Sequence, residues 1–186
     1  MEQNFPSKSV RFFPCWNMYD SSQVVGFLNM VIHILDIKSP IENWVELGSF
    51  IGESANMVLG FPNIKHIDCV DLSKHLITET EKRLNRFILN NRCSVHNKSS
   101  YDFLKQIPNN YMDVVYIDAN HSYESVKQDI ELSFEKLKND SFLCGHDYNP
   151  EHKPFPESNQ AIEEFSGKNG LEIIRFIDNS WIMRKT

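Results

Sequence analysis

No apolar stretch of the chain approaches the roughly 20 residues needed to cross a bilayer, so a membrane partner is not expected. The opening stretch, MEQNFPSKSVRFFP, lacks the continuous apolar core of a signal peptide. Cysteine is scarce: Cys15, Cys69, Cys93 and Cys144 are widely spaced and form no CxxC pair. Three of them lie in strand-like runs, where a buried reduced thiol is the usual state. A structural zinc is therefore not expected, and the reducing cytoplasm is the expected setting. There is no run of Lys or Arg, and the net charge is -6, so a nucleic-acid partner gets no electrostatic encouragement. The GxGxxG fingerprint is absent, which argues against hydride transfer on a nicotinamide. Internal repeats, low-complexity tracts and interdomain linkers are missing too.

What remains is 186 residues with 41% apolar and 24% charged side chains, enough for one domain with a full core. Residues 1–40 read as an N-terminal segment and helix, and residues 41–186 as the core of that domain. Apolar runs and helical patterns alternate from about residue 20. SSQVVGFLNMVIHIL, Ser21 to Leu35, predicts an amphipathic helix. NWVELG is a strand ending at Gly48, and Ser54 to Leu59 starts a helix. HIDCVDL is a strand ending at Asp71, and Ser73 to Asn90 is helical, with Ile77, Leu84 and Phe87 on one face. CSVHNK, MDVVYID and SFLCGHD are three further strands. YDFLKQI and Ser122 to Lys138 are the helices between them. A Pro-rich loop, Tyr148 to Pro156, precedes a short helix, Asn159 to Phe165. Asp178-Asn179 splits the closing apolar runs as a tight hairpin. Such alternation predicts an α/β fold with a doubly wound, mostly parallel sheet and a C-terminal antiparallel hairpin.

In such a sheet, ligands bind at the carboxyl ends of the strands near the switch in strand order. Three strand ends are chemically unusual. In Glu46-Leu47-Gly48-Ser49-Phe50-Ile51-Gly52-Glu53-Ser54, Gly48 sits where a strand turns sharply. Gly52 opens the next helix, where a side chain would block a ligand or the strand–helix contact. Asp71 ends the next strand about 20 residues on, where a carboxylate receives both ribose hydroxyls of a nucleoside. It could equally cap the helix that follows. Asp118 ends the fourth strand, with His121 just beyond, and His146 and Asp147 end the fifth.

ELGSFIGES resembles the ExGxxxGxS turn of class I S-adenosylmethionine-dependent methyltransferases. Asp71 is similar to their acidic residue after the second strand. The segment from Asp118 to His121 and the later Gly145-His146-Asp147-Tyr148 resemble one branch of that superfamily, the small metal-assisted O-methyltransferases of macrocin and catechol type. The likeness runs from about Val45 to Phe165. It implies a Rossmann-like, seven-stranded fold with the last strand antiparallel, and S-adenosylmethionine as cofactor. The implied cofactor-binding residues are Glu46, Gly48, Ser49, Gly52, Ser54, Asp71, Leu72, Ser99, Ser100 and Asp118. Ser99 and Ser100 serve equally well as caps of YDFLKQI.

Asp118, His146 and Asp147 end neighbouring strands, so their side chains can converge. Two carboxylates and an imidazole suit a divalent ion, magnesium or manganese, which would bind acceptor hydroxyls and lower their pKa. His121 stands where the resembling enzymes keep a general base, and with Asp118 makes the expected catalytic pair. The expected reaction is O-methylation of a small hydroxylated molecule, a sugar, polyol or catechol. Little chain lies beyond the core fold, which leaves the acceptor pocket open or completed by the second subunit of a homodimer. One alternative is a metal-independent methyltransferase with His121 as the only base. Another is a non-catalytic S-adenosylmethionine-binding partner subunit. A nucleic-acid methyltransferase fits worse, because no Asn/Asp-Pro-Pro-Tyr/Trp motif is present. Met18 and Tyr19 could close over the cofactor, and Tyr123 and Tyr148 could stack on an acceptor ring.

Overall fold

The computed structural model describes residues 21–152 and 155–186. Met18, Tyr19 and Cys15 lie outside the described residues, as does part of the Pro-rich loop. Along the chain the elements are α1 (Ser21–Ile37), β1 (Ile41–Leu47), α2 (Glu53–Val58), β2 (Ile64–Asp71), α3 (Lys74–Leu89), β3 (Cys93–Asn97) and α4 (Ser100–Leu104). They continue with β4 (Met112–Ile117), α5 (Tyr123–Lys136), β5 (Leu137–Gly145), α6 (Pro156–Asn169), β6 (Ile174–Arg175) and β7 (Trp181–Lys185). The seven strands form one sheet in the order β3-β2-β1-β4-β5-β7-β6. From β3 to β5 all neighbours are parallel, and β7 runs antiparallel to both β5 and β6. This is the doubly wound sheet with a C-terminal antiparallel hairpin that the alternating pattern predicts, in the seven-stranded Rossmann-like form that the resemblance implies.

Pleating sends successive side chains to opposite faces, and each face has its own core. Trp44, Val114, Tyr116, Phe142 and Ile182 point to one side. There they meet Phe27, Met30, Val31 and Ile34 of α1 and Leu84 and Phe87 of α3. Val45, Leu47, Val115, Leu143 and Met183 point to the other side, against Phe103 and Leu104 of α4, Val126 and Ile130 of α5, and Ala161 and Ile162 of α6. Phe27, Met30, Val31 and Ile34 follow the i, i+3, i+4, i+7 spacing of one helical stripe. Strand β4 lies in the middle and is buried at every position, which explains the apolar run Val114–Ile117 that follows Asp113. No described helix is long and apolar enough to cross a membrane. Cys69, Cys93 and Cys144 are buried free thiols.

Several boundaries differ from the sequence reading. Helix α5 stops at Lys136 rather than Lys138, and β5 begins at Leu137 rather than Ser141. Leu137 is fully buried and pairs with Met112, and Lys138 Nζ donates to Asp113 Oδ1 at 3.0 Å. These tertiary partners draw the polar Lys138-Asn139-Asp140 run into the strand. The register slips there, between Met112 and Val114 on β4, and Asp140 takes a φ of 59°. Helix α6 is longer than Asn159–Phe165, opening on Pro156 and ending at Gly170 with φ 64°. Strand β6 holds only Ile174 and Arg175, so most of the first arm of the closing hairpin is irregular.

The chain builds outward from β1 to β3, then returns to place β4 on the other side of β1. The switch in strand order thus falls between β1 and β4, where the loops at their carboxyl ends part and leave a crevice.

Candidate functional site

The crevice floor is the turn after β1. Gly48 has a φ of 85°, and its amide donates to Val70 O at 2.9 Å. A Cβ on Gly48 would stand 2.6 Å from the Asp118 carbonyl carbon and 2.8 Å from Ala119 Cα. Only glycine lets the ends of β1 and β4 approach so closely. Gly52, with φ 73°, serves a different contact: its Cβ would stand 3.0 Å from Thr80 Cγ2 and 3.2 Å from Leu84 Cδ1, both on α3.

Two cavities open from this floor. The larger, about 500 Å³, is lined by Gly48, Asp71, Leu72, Ser99, Ser100 and Asp118, all six expected from the sequence, and also by Phe50, Lys98, Tyr101, Gln128 and Asp129. The smaller, about 370 Å³, is lined by Gln23, Gly48, Phe50, Asp118, His121, His146, Asp147 and Phe155. Gly48, Phe50 and Asp118 border both.

In the larger cavity, Asp71 Oδ1 accepts from the Ser73 amide at 2.8 Å and Oδ2 from the Phe50 amide at 3.0 Å. It therefore fixes the start of α3 and the glycine turn together while bordering the cavity. Ser99 likewise has two positions at once: its Oγ accepts from the Asp102 amide at 3.1 Å as the α4 cap, and it lines the cavity. Asp129 is 5% exposed, and burial pushes its pKa up to about 6 against a hydrogen bond from Ser100. The solvated-looking charge pattern of α5 hides this residue in the sequence. Its only signal is an acid on the stripe side of that helix, one residue before Ile130.

Glu46, Ser49, Gly52 and Ser54 do not line either cavity. The pleat turns Glu46 to the Trp44 face of the sheet, beneath α2, where Ser54 Oγ donates to Glu46 Oε1. Glu46 is 2% exposed, Oε2 has no hydrogen-bond partner among the described residues, and burial lifts its pKa to about 8. Ser49 is buried beside them.

In the smaller cavity the sequence points to Asp118, His146 and Asp147 as a metal set. The structure instead gathers Asp118, His121 and Asp147, with one ligand atom of each within 4.8 Å of the others. His121 Nε2 lies 2.6 Å from Asp147 Oδ2 and 3.9 Å from Asp118 Oδ1. The other Asp147 oxygen, Oδ1, lies 2.9 Å from His146 Nδ1, and His146 Nε2 faces Asp178 Oδ2 at 4.0 Å. His146 is thus on the cavity wall but outside the convergent trio, because its ring turns toward the buried Asp178. The His121 ring stacks on Phe155 with centroids 4.2 Å apart.

Electrostatics follow from these contacts. The bond to Asp147 raises the His121 pKa, outweighing partial burial. Burial would lower that of His146, but the Asp147 bond and the charges of Asp118, Asp147 and Asp178 carry it up to about 9. Burial would raise Asp147, yet its two imidazole partners hold it well below the usual carboxylate range. For Asp118, burial dominates and the pKa rises. Tyr123 and Tyr148 do not border either cavity; their hydroxyls donate to Glu164 at 2.7 Å and Glu163 at 3.3 Å.

A family model described as "Methyltransferase domain" matches residues 45–148, a span holding the glycine turn, Asp71, Asp118, His121, His146 and Asp147. The chain belongs to the methyltransferase domain family. Comparison with curated proteins finds no match. Solved structures of similar fold include an O-methyltransferase from Bacillus cereus in complex with SAH, with a TM-score of 0.67 and 16% identity over 89% of this chain and 82% of that one. A SAM-dependent methyltransferase from Aquifex aeolicus gives 0.64 and 15% over 93% and 97%. A spermidine synthase from Thermotoga maritima gives 0.62 and 13%, covering 85% of this chain and 58% of that chain. At these identities the likeness is one of fold. For this methyltransferase, the acceptor and any metal must be argued from the site itself.

Proposed function

We propose that the methyltransferase takes S-adenosylmethionine in the larger cavity and methylates a hydroxyl of a small molecule, a sugar, polyol or catechol, seated in the smaller one. The observation that carries this reading is the junction of the two cavities at Asp118. A donor held on one side and an acceptor on the other meet beside a carboxylate and an imidazole. The larger cavity, about 500 Å³, has the size of a small-ligand site. Asp71 presents acceptor oxygens suited to vicinal ribose hydroxyls. Leu72, 74% exposed at its rim, offers an apolar surface for a base.

The trio of Asp118, His121 and Asp147 also suits a divalent ion, since two hard carboxylate oxygens and one imidazole match magnesium or manganese. Such an ion supplies Lewis acidity that lowers the pKa of a bound hydroxyl. The chain's own residues do the rest. Asp71 and the turn orient the donor. Where no ion holds it, His121 can accept the hydroxyl proton at Nδ1 while Asp147 accepts from Nε2–H, and Phe155 covers one face of the ring. The direct 2.6 Å contact between His121 and Asp147 favours a second reading, in which the imidazole–carboxylate pair works without an ion.

Calorimetric titration with S-adenosylhomocysteine, with and without magnesium, tests both. Binding strengthened by the ion supports the metal-assisted reading, and acceptor screening should then begin with diols and sugars. Binding indifferent to the ion, with activity that survives a chelator, supports the second. No binding in either buffer overturns the assignment of the larger cavity.

A further inference from the structure

Asp178 lies in the turn between β6 and β7, outside the span that matches the family, yet it is buried at 4% exposure. Its oxygens accept from the Ser180 amide at 3.1 Å and from Ser180 Oγ at 2.6 Å. An uncharged amide could close much of this turn. The carboxylate charge is instead directed at His146 Nε2, 4.0 Å from Asp178 Oδ2. Helix α1 makes room for it: a Cβ on Gly26 would stand 2.6 Å from Asp178 Cβ and closer still to the carboxylate. The far side of the same imidazole, Nδ1, meets Asp147 Oδ1 at 2.9 Å, and Asp147 Oδ2 meets His121 at 2.6 Å. The His146 backbone is pinned as well, its carbonyl accepting from Trp181 Nε1 at 3.1 Å.

We propose that His146 and Asp178 are positioning residues: Asp178 sets the ring orientation of His146, and His146 fixes the Asp147 carboxylate that holds His121 at the junction of the two cavities. The proposal rests on the reading of Asp118, His121 and Asp147 as the reactive group. A carboxylate with one oxygen on His121 has one remaining oxygen by which its plane can be set, and His146 occupies it. The C-terminal hairpin and α1 thereby take part in building the site.

The test uses three variants of the full chain. His146→Leu removes both contacts, His146→Asn keeps an N–H donor near the Nδ1 position, and Asp178→Asn removes the charge. Two readouts apply: the His121 imidazole 15N and 1H resonances, and calorimetric titration with manganese chloride. His146→Leu and Asp178→Asn should move the His121 resonances. They should also weaken manganese binding by about 10- to 100-fold, the usual effect of losing a partner that orients a ligand. His146→Asn should restore most of both. Unchanged His121 resonances in folded His146→Leu overturn the proposal. If the wild-type chain binds no manganese but the resonances still move, the ion reading fails and the positioning role stands. If Asp178→Asn does not fold, the His146 pair decides alone.

Discussion

Replacing Gly48 with alanine tests the architecture of the site at its narrowest point. Two penalties coincide there. The φ of 85° costs a side-chain-bearing residue about 1–2 kcal/mol. The added Cβ would also press on the Asp118 carbonyl, and overpacking of this kind costs about 1–3 kcal/mol. Two other glycines separate the components. Gly170 has a φ of 64° with nothing within 4 Å of its Cβ position, so Gly170→Ala reports the conformational cost alone. Gly145 has no such φ, but its Cβ would meet the Ile117 carbonyl and stand 2.9 Å from Trp181 Cζ2, so Gly145→Ala reports the steric cost alone. Urea unfolding should therefore show Gly48→Ala losing about 2–5 kcal/mol, near the sum of the other two. In a chain of this length each kcal/mol lowers Tm by about 2–4 °C. The functional readout is independent. Because the strain falls on the Asp118 backbone, Gly48→Ala should weaken S-adenosylhomocysteine binding, and Gly170→Ala should not. The reasoning is refuted if Gly48→Ala proves no costlier than Gly170→Ala, or binds the ligand as the wild type does.

Asp71→Ala should abolish S-adenosylhomocysteine binding in calorimetry and cost about 1 kcal/mol for each of the bonds it accepts from the Ser73 and Phe50 amides; retained micromolar affinity would contradict its assignment. Glu46 has a folded pKa raised from 4.5 to about 8, so the benefit of burying it neutral is present at low pH and lost as pH rises through that window. Glu46→Gln should therefore gain on the wild type by up to about 3–5 kcal/mol between pH 5 and pH 8, and parallel stability curves would refute this. Asp129, with a pKa of about 6, should hold ligand N–H groups more strongly when ionised, so S-adenosylhomocysteine affinity should rise several-fold from pH 5 to pH 7. Asp129→Asn should flatten that rise, and an unaltered pH dependence would remove Asp129 from the ligand site.

The strands and their ends were legible because buried parallel strands are rich in apolar residues, and two of the runs stop at carboxylates, Asp71 and Asp118, that a core would not accept unpaired. Asp71 and Asp118 mark the site for that reason. The β5 start was not legible, since Lys138-Asn139-Asp140 carries no strand pattern. Its pairing comes from Asp113 on β4 and from β7, both remote in sequence. Which histidine joins the trio was likewise out of reach. His146 and Asp147 are adjacent, and only the buried Asp178, about thirty residues further on, turns the His146 ring aside. Gln23, Phe155 and Asp129 reach the cavities from helices or loops whose local pattern has no chemical signature.

Backbone strain is distributed in a way that bears on function. Of the non-glycine residues with positive φ, Asn91, Asn110 and Asn179 lie in turns, Asp140 lies at the register slip in β5 and Asp147 just after β5, and all five have short polar side chains that tolerate that region. Phe50, at φ 48°, has no such excuse, and it borders both cavities. A bulky residue held this way costs about 1–3 kcal/mol and persists only where its surroundings over-determine it. They do so here. The Phe50 amide donates to Asp71 Oδ2 at 3.0 Å, and its carbonyl accepts from Thr80 Oγ1 at 2.8 Å. The end of β2 and the middle of α3 thus clamp both peptides that flank Phe50. The same Asp71 that borders the larger cavity holds the strained residue at the junction with the smaller one. A ligand that draws Asp71 toward itself competes with the Phe50 amide, and so pulls directly on the wall of the neighbouring cavity.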